Sequence, residues 1–233
     1  PPNFTEKIDG NRDILAFRNG CLDFRNIRNG SGEWEKPPFR PYTKEDMVYK
    51  FLDYDYKGIW CDGKTTPREA SDEHNSNINL LDDWTYKMFF HDDQQRSYWK
   101  WSLGYGITGH TNLKLMLIIQ GTEGNNGKST TAEILKYFLE FQIRELNPIV
   151  FTSKDQDKTT PYLSAWREGV LITYIEEMPE GGNPQIIKQR VGLLDTHGHY
   201  RRFHKDEEEK RIYKSLIIVF TNELFNCGTS ESA

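Results

Sequence analysis

Three short apolar runs, Leu115–Ile119, Val170–Ile175 and Leu216–Phe220, constrain the fold more than any other feature of the chain. They are rich in β-branched residues and too short for buried helices, and they do not alternate with polar residues. Continuous apolar strands of this kind belong to a parallel sheet covered on both faces. Each run stops abruptly at polar residues. The first meets Gln120-Gly121-Thr122-Glu123-Gly124-Asn125-Asn126-Gly127-Lys128-Ser129-Thr130, the second Glu176-Glu177, the third Thr221-Asn222. Open α/β sheets bind their ligands beyond the carboxyl ends of the strands, so these three termini are where chemistry is expected.

The segment Gly121–Thr130 reads as a strand–loop–helix phosphate site. Glycines allow backbone N–H groups to turn inward around phosphate oxygens, and the positive N-terminus of the following helix adds to the attraction. Gly121, Gly124, Asn125, Asn126, Gly127, Lys128, Ser129 and Thr130 are the candidate nucleotide-binding residues. Lys128 is expected to reach the β- and γ-phosphates and Ser129 to ligate Mg2+. Gly121 and Gly127 are separated by five residues, one more than in the usual loop. Ile134, Leu135, Phe138, Leu139 and Leu146 give the following helix an apolar face, and Asn147-Pro148 is expected to end it.

Two adjacent carboxylates at a buried strand end are costly unless a cation or a water network uses them. Glu176 is expected to hold Mg2+ and Glu177 to polarise an attacking water. A solvated turn is the alternative for such a pair in isolation. Asn222, at the tip of the third strand, is placed to orient that water or touch the γ-phosphate. Lys128, Glu176, Glu177 and Asn222 are therefore the catalytic candidates, and Ser129 and Glu176 the metal candidates.

The N-terminal part has a different texture. Ile14–Phe17 and Cys21–Phe24 flank Arg18-Asn19-Gly20, which signals a hairpin. Residues Thr65–Asn79 are polar and suit a linker. Leu80, Trp84 and Met88 then recur at four-residue spacing, and an aromatic-rich stretch covers Tyr98–Tyr105. Two short helices with Asp92-Asp93 as a cap between them are expected, their aromatics serving as core.

Composition narrows the classes. The 233 residues are 36% hydrophobic and 13% aromatic, enough for a core and against a disordered chain. No apolar run approaches the ~20 residues of a membrane-spanning helix, and Pro1–Gly10 is too polar for a signal peptide. With 30 Lys plus Arg against 35 Asp plus Glu, the formal charge of −5 excludes coating nucleic acid by bulk charge; any contact requires a local patch. Cys21, Cys61 and Cys227 form no Cys-x-x-Cys pair, which fits a reducing, intracellular compartment without a structural zinc.

In their order, these residues resemble superfamily 3 helicases, specifically the primase–helicases of poxviruses, other large DNA viruses and some phages and plasmids. The similar segments are the loop Gly121–Thr130, the acidic Ile175-Glu176-Glu177, an intervening Ile187-Lys188-Gln189 and the asparagine-bearing Ile218-Val219-Phe220-Thr221-Asn222. Phe17–Phe24 and Tyr54-Asp55-Tyr56 look like the small domain before the family's motor, and Leu103–Gly109 like its helical lead-in. The family's Gly-Gly-Asp is replaced here by Gly192-Leu193-Leu194-Asp195. The resemblance implies an AAA+-like P-loop parallel sheet, α/β in class, preceded by a small α+β lead-in domain. The expected division is 1–77 lead-in, 78–110 helical connector and 111–233 motor. The chain stops at Ala233, eleven residues past Asn222, before the family's arginine finger and without a primase segment, so a truncated motor is expected.

The resemblance further implies an ATP hydrolase with Mg2+ that unwinds DNA during viral genome replication. It implies a homo-oligomeric ring, a hexamer, working on single-stranded and fork DNA in the host cytoplasm beside a primase domain or other replication proteins. Superfamily 3 motors place a pore hairpin just before the asparagine strand. Here that position holds His197–Lys205, with Arg201, Arg202, His204 and Lys205 as DNA-binding candidates and Phe203 among them to stack on a base. A solvated mixed-charge loop is the competing reading. The rival functions are a P-loop nucleotide or small-molecule kinase, which transfers phosphate without stimulation by DNA, and a non-hydrolysing assembly module, which binds nucleotide without turnover.

Overall fold

A computed structural model describes residues 11, 13–25, 39–57, 72–121, 126–159, 161–163, 170–178, 183–194, 197–201, 208–212 and 215–222. They fall into two compact units, Asp13–Gly104 and Tyr105–Ala233, the second also taking in Asn11.

The first unit opens with the expected hairpin. Strands β1 (Ile14–Phe17) and β2 (Gly20–Asp23) pair antiparallel, with Phe17 opposite Gly20, and β3 (Phe39–Arg40) adds to β2. Gly20 has φ +148°, and a Cβ there would lie 2.6 Å from the Arg40 carbonyl oxygen, so the turn needs glycine. The 51–56 segment locks onto this hairpin. Leu52 N–H donates to the Ala16 carbonyl at 2.9 Å, and the Asn19 amide exchanges two hydrogen bonds with the backbone of Tyr56. The Phe17 ring contacts those of Tyr54 and Tyr56. From β3, Arg40 bridges Asp23 of β2 and Asp46, each at 2.7 Å.

Helices α1 (Asp72–Met88) and α2 (Asp93–Ile107) follow, and from Tyr105 onward α2 belongs to the second unit. Asp92 caps α2, its Oδ1 accepting from the N–H groups of Gln94 and Gln95, both at 2.9 Å. The helices are longer than expected, 17 and 15 residues. α1 begins inside the Thr65–Asn79 segment read as a linker, because nothing in Asp72–Asn79 breaks a helix: it holds neither Gly nor Pro. Residues 65–71 lie outside the described part.

The second unit is α/β. Its parallel sheet contains β4 (Met116–Gln120), β5 (Ile143–Glu145), β6 (Ile172–Ile175) and β9 (Leu216–Thr221), in the order β4-β9-β6-β5. Every neighbouring pair is parallel. The three apolar runs are thus the three adjacent strands β4, β6 and β9. Central β6 and β9 are buried throughout, whereas β4 is an edge strand with Ile118 partly exposed.

Between the strands run α3 (Lys128–Leu139), α4 (Ile149–Thr152), α5 (Gln156–Thr159) and α6 (Pro184–Gly192). One sheet face, with Ile175, Ile217 and Val219, packs with Val150, Phe151, Ile187 and Leu194. The residues of opposite parity, such as Tyr174, face the other way, where the Lys136 ammonium of α3 sits 5.1 Å from the Tyr174 ring centre. Inside the sheet, the Thr173 and Ser215 hydroxyls satisfy each other at 2.8 Å. An antiparallel hairpin, β7 (His197–Arg201) and β8 (Glu208–Ile212), precedes β9.

One expectation is corrected here. The helix after the phosphate loop ends at Leu139, not at Asn147-Pro148. Glu140 takes φ 45°, a short 3-10 turn follows, and Ile143–Glu145 joins the sheet beside β6. Leu146 is core, though not on the helix, and Asn147-Pro148 starts α4: the Asn147 side chain accepts from the Ile149 N–H at 3.0 Å.

Candidate phosphate site at the carboxyl ends of the sheet

β4 delivers Gly121, whose N–H donates to the Thr221 carbonyl at 3.0 Å and carries the β4–β9 pairing one residue beyond the strand. A Cβ at Gly121 would fall 1.9 Å from the Asn126 amide nitrogen and 3.2 Å from the Lys128 Nζ. The Asn126 and Lys128 side chains therefore close over this glycine. Gly124 and Asn125 lie outside the described residues. Gly127 has φ 81°, a left-handed value that suits glycine, and forms the N-cap of α3. Its carbonyl accepts from both the N–H and the hydroxyl of Thr131, at 2.9 and 2.7 Å.

The Lys128 ammonium folds back over the loop, 2.6 Å from the Asn126 Oδ1 and 3.3 Å from the Gly121 carbonyl oxygen. Burial pulls its pKa below the usual lysine value, and the Glu177 carboxylate opposes that shift. Ser129 and Thr130, in the first turn of α3, are exposed.

Glu176 and Glu177 follow β6, and Asn222 follows β9. All three are exposed. The carboxylates thus stand beyond the buried strand end, in solvent, and the desolvation cost expected for them is not incurred. Glu176 is held from one side: its Oε1 lies 3.6 Å from the Nζ of Lys136, which also binds Glu133 at 2.7 Å.

Asn126, Gly127, Lys128, Ser129, Thr130, Glu176, Glu177 and Asn222 come together around one cleft of about 210 Å3, with Phe220 as an added wall. Lys136 and Phe220 are the neighbours that sequence reasoning missed. Lys136 is two turns along α3 from Lys128, a spacing that only the fold relates to Glu176. Chemically the described residues of the cleft offer the Lys128 cation for phosphate and, in Ser129 and Glu176, hard oxygen donors. Mg2+ is typically bound by one or two such groups plus the oxygens of a bound phosphate, so this donor set fits it. Among the described residues no cluster of three or more His, Cys, Asp and Glu could hold a metal by itself.

The basic candidates are divided. Arg201 closes β7, and Arg202, His204 and Lys205 lie outside the described residues.

No family model matches the chain. A protein of Invertebrate iridescent virus 3 that is named as a helicase, 121R, is 24% identical over 194 residues, which is 82% of this chain and 18% of that protein. The chain therefore spans about a fifth of that relative's length. Two apo structures of the NrS-1 C-terminal region are similar in part. One, of residues 305–718, has 17% identity and TM-score 0.49, covering 73% of this chain and 38% of that one. The other has 16% identity and TM-score 0.45, covering 90% and 54%. Of these, the relative that carries a helicase name is the viral protein 121R. Among the described residues no helix is long and apolar enough to cross a membrane.

Proposed function

We propose that the chain is the nucleotide-hydrolysing core of an ATP-driven DNA helicase of viral replication, of superfamily 3 type, acting as a hexameric ring on single-stranded DNA. The observation that carries this reading is the convergence of Lys128, Ser129, Glu176, Glu177 and Asn222 on one cleft beyond three adjacent parallel strands. The helicase name of the viral relative and the hairpin before β9 support it further.

In this reading the backbone of the loop and Lys128 hold the phosphates of ATP. Ser129 and Glu176 hold Mg2+, which supplies charge neutralisation on the phosphates when bound. Glu177 orients and polarises the attacking water, and Asn222 fixes that water against the terminal phosphate. In rings of this kind ATP sits between subunits, whose head-to-tail interface closes only with rotational symmetry. The 201–205 segment meets the DNA backbone.

The test is Lys128→Ala. Binding of a fluorescent ATP analogue should fall at least ~100-fold, about 2.7 kcal/mol, because a phosphate-neutralising cation is lost while the fold, followed by circular dichroism, is kept. Unchanged affinity overturns the reading. Turnover by the intact parent protein should rise with single-stranded DNA; phosphate transfer to a small acceptor, indifferent to DNA, would mark a kinase.

A further inference from the structure

A second cleft, larger than the first at about 310 Å3, opens between α4 and α6 and is lined by Ser153, Lys154, Gln185, Ile186, Gln189 and Arg190. Its walls are tied together. The Asn183 N–H donates to the Phe151 carbonyl at 3.3 Å, and the Val150 and Phe151 side chains share a core with Ile187. Asn183 also caps α6, its Oδ1 accepting from the N–H groups of Gln185 and Ile186. The exposed N-terminal donors of the helix are therefore satisfied, and the character of the cleft is set by side chains.

Those side chains are nearly all donors. Arg190 is fixed across two elements, its Nε donating to the Val150 carbonyl at 3.3 Å and its Nη2 to the Thr159 hydroxyl at 2.9 Å. A guanidinium so held is pre-organised, and little side-chain freedom remains to be lost on binding. Lys154 brings a second positive charge, Gln185 and Gln189 two amides, and Ser153 a hydroxyl. Among the described residues that line the cleft there is no carboxylate. Two cations, Lys154 and Arg190, thus line a concave surface of a chain whose net charge is −5, and a concave shape concentrates the field.

We propose that this cleft binds a phosphate group, carried by a nucleic-acid backbone or by a free polyphosphate. Donors approaching from both α6 and the 153–154 segment match an anion with several oxygens, whereas a carboxylate needs only one bidentate partner. The volume is at the lower end of ligand sites, ~300–1,000 Å3, and exceeds what a lone carboxylate fills. The inference does not depend on hydrolysis at the loop cleft.

The experiment uses the full chain, with Lys154→Glu and Gln185→Glu, both exposed positions outside the core. Binding of a labelled single-stranded oligothymidylate is measured over a salt series. Binding of inorganic tripolyphosphate is measured by calorimetry in a Lys128→Ala background, which removes the loop cleft from that reading. Lys154→Glu should weaken the affected ligand about tenfold, and for the oligonucleotide it should lower the log–log salt slope by about one. Loss confined to the oligonucleotide assigns the nucleic-acid backbone, and loss of tripolyphosphate assigns free phosphate. Affinity for the fluorescent ATP analogue should stay at the wild-type value. The proposal is overturned if the parent chain binds neither probe, if both variants bind both probes unchanged, or if ATP-analogue binding falls in parallel.

Discussion

At Lys128 two opposed influences act on one ammonium: burial lowers its pKa, and the Glu177 carboxylate raises it. Glu177→Gln removes the opposing charge, so in that variant Lys128 should lose its proton at lower pH than in the wild type. Phosphate binding needs the charged form. The alkaline limit of ATP-analogue binding should therefore move to lower pH in Glu177→Gln, and an unmoved limit would show that the carboxylate does not act on the ammonium. At neutral pH the same variant should still bind nucleotide with Mg2+ but turn over at least ~100-fold more slowly, since an amide cannot polarise water as a carboxylate does. If Glu176→Gln stops turnover while Glu177→Gln is nearly silent, the two roles are exchanged. The residues at this scale were legible in the sequence because each sits within two positions of a strand end or in the loop itself. Lys136 was not, because its link to Glu176 crosses from α3 to the end of β6 and no local pattern marks it.

Two glycines on α2 show how an element is constrained by what it touches. A Cβ on Gly104 would meet nothing within 4 Å, whereas one on Gly106 would lie 2.9 Å from both Cβ and Cδ2 of Leu216, a residue of the fully buried β9. Gly104→Ala should stabilise the protein by about 0.5–1 kcal/mol through helix propensity. Gly106→Ala gains the same propensity but forces a rigid Cβ contact, an overpacking worth roughly 1–3 kcal/mol, so it should be neutral to destabilising. Urea unfolding of the two variants checks this; equal shifts in the same direction would remove the contact from the account. Elements were legible where one pattern ruled: the hairpin at Arg18-Asn19-Gly20, the cap at Asp92, and the adjacent strands β4, β6 and β9. They were misread where tertiary pairing overrode local pattern. Phe138, Leu139 and Leu146 continue a helical spacing, yet Ile143–Glu145 gains a ladder with β6 that no helix offers. β5 is three residues long and is visible only as the partner of a neighbour.

On the scale of the whole molecule the two units bury different kinds of polar group. In the first, Asp23 and Asp46 are buried around Arg40; in the second, the buried polar residues among those described are uncharged, namely Thr111, Thr131, Gln142, Thr159, Thr173, Ser215 and Thr221. Hydrogen bonds from Arg25 and Arg40 hold the Asp23 carboxyl well below the usual carboxylate range, and bonds from Arg40 and Thr43 do the same for Asp46. A carboxyl whose folded pKa is depressed stabilises the fold above its unfolded pKa, and that contribution is lost as pH falls through ~5 and below. Acid should therefore loosen Asp13–Gly104 before the parallel-sheet unit. Hydrogen exchange followed by mass spectrometry, corrected for intrinsic rates, should show peptides from 13–25 and 39–57 losing protection between pH ~5 and pH ~2 while those from β6 and β9 keep theirs. Arg40→Gln leaves Asp46 buried without its partner and should cost about 3 kcal/mol at neutral pH. Protonating Asp46 then relieves an unpaired charge instead of breaking an ion pair, so the acid sensitivity of the first unit should shrink or reverse in this variant. Simultaneous loss of protection in both units, unchanged by Arg40→Gln, would mean that the ion cluster does not set the acid limit of the fold.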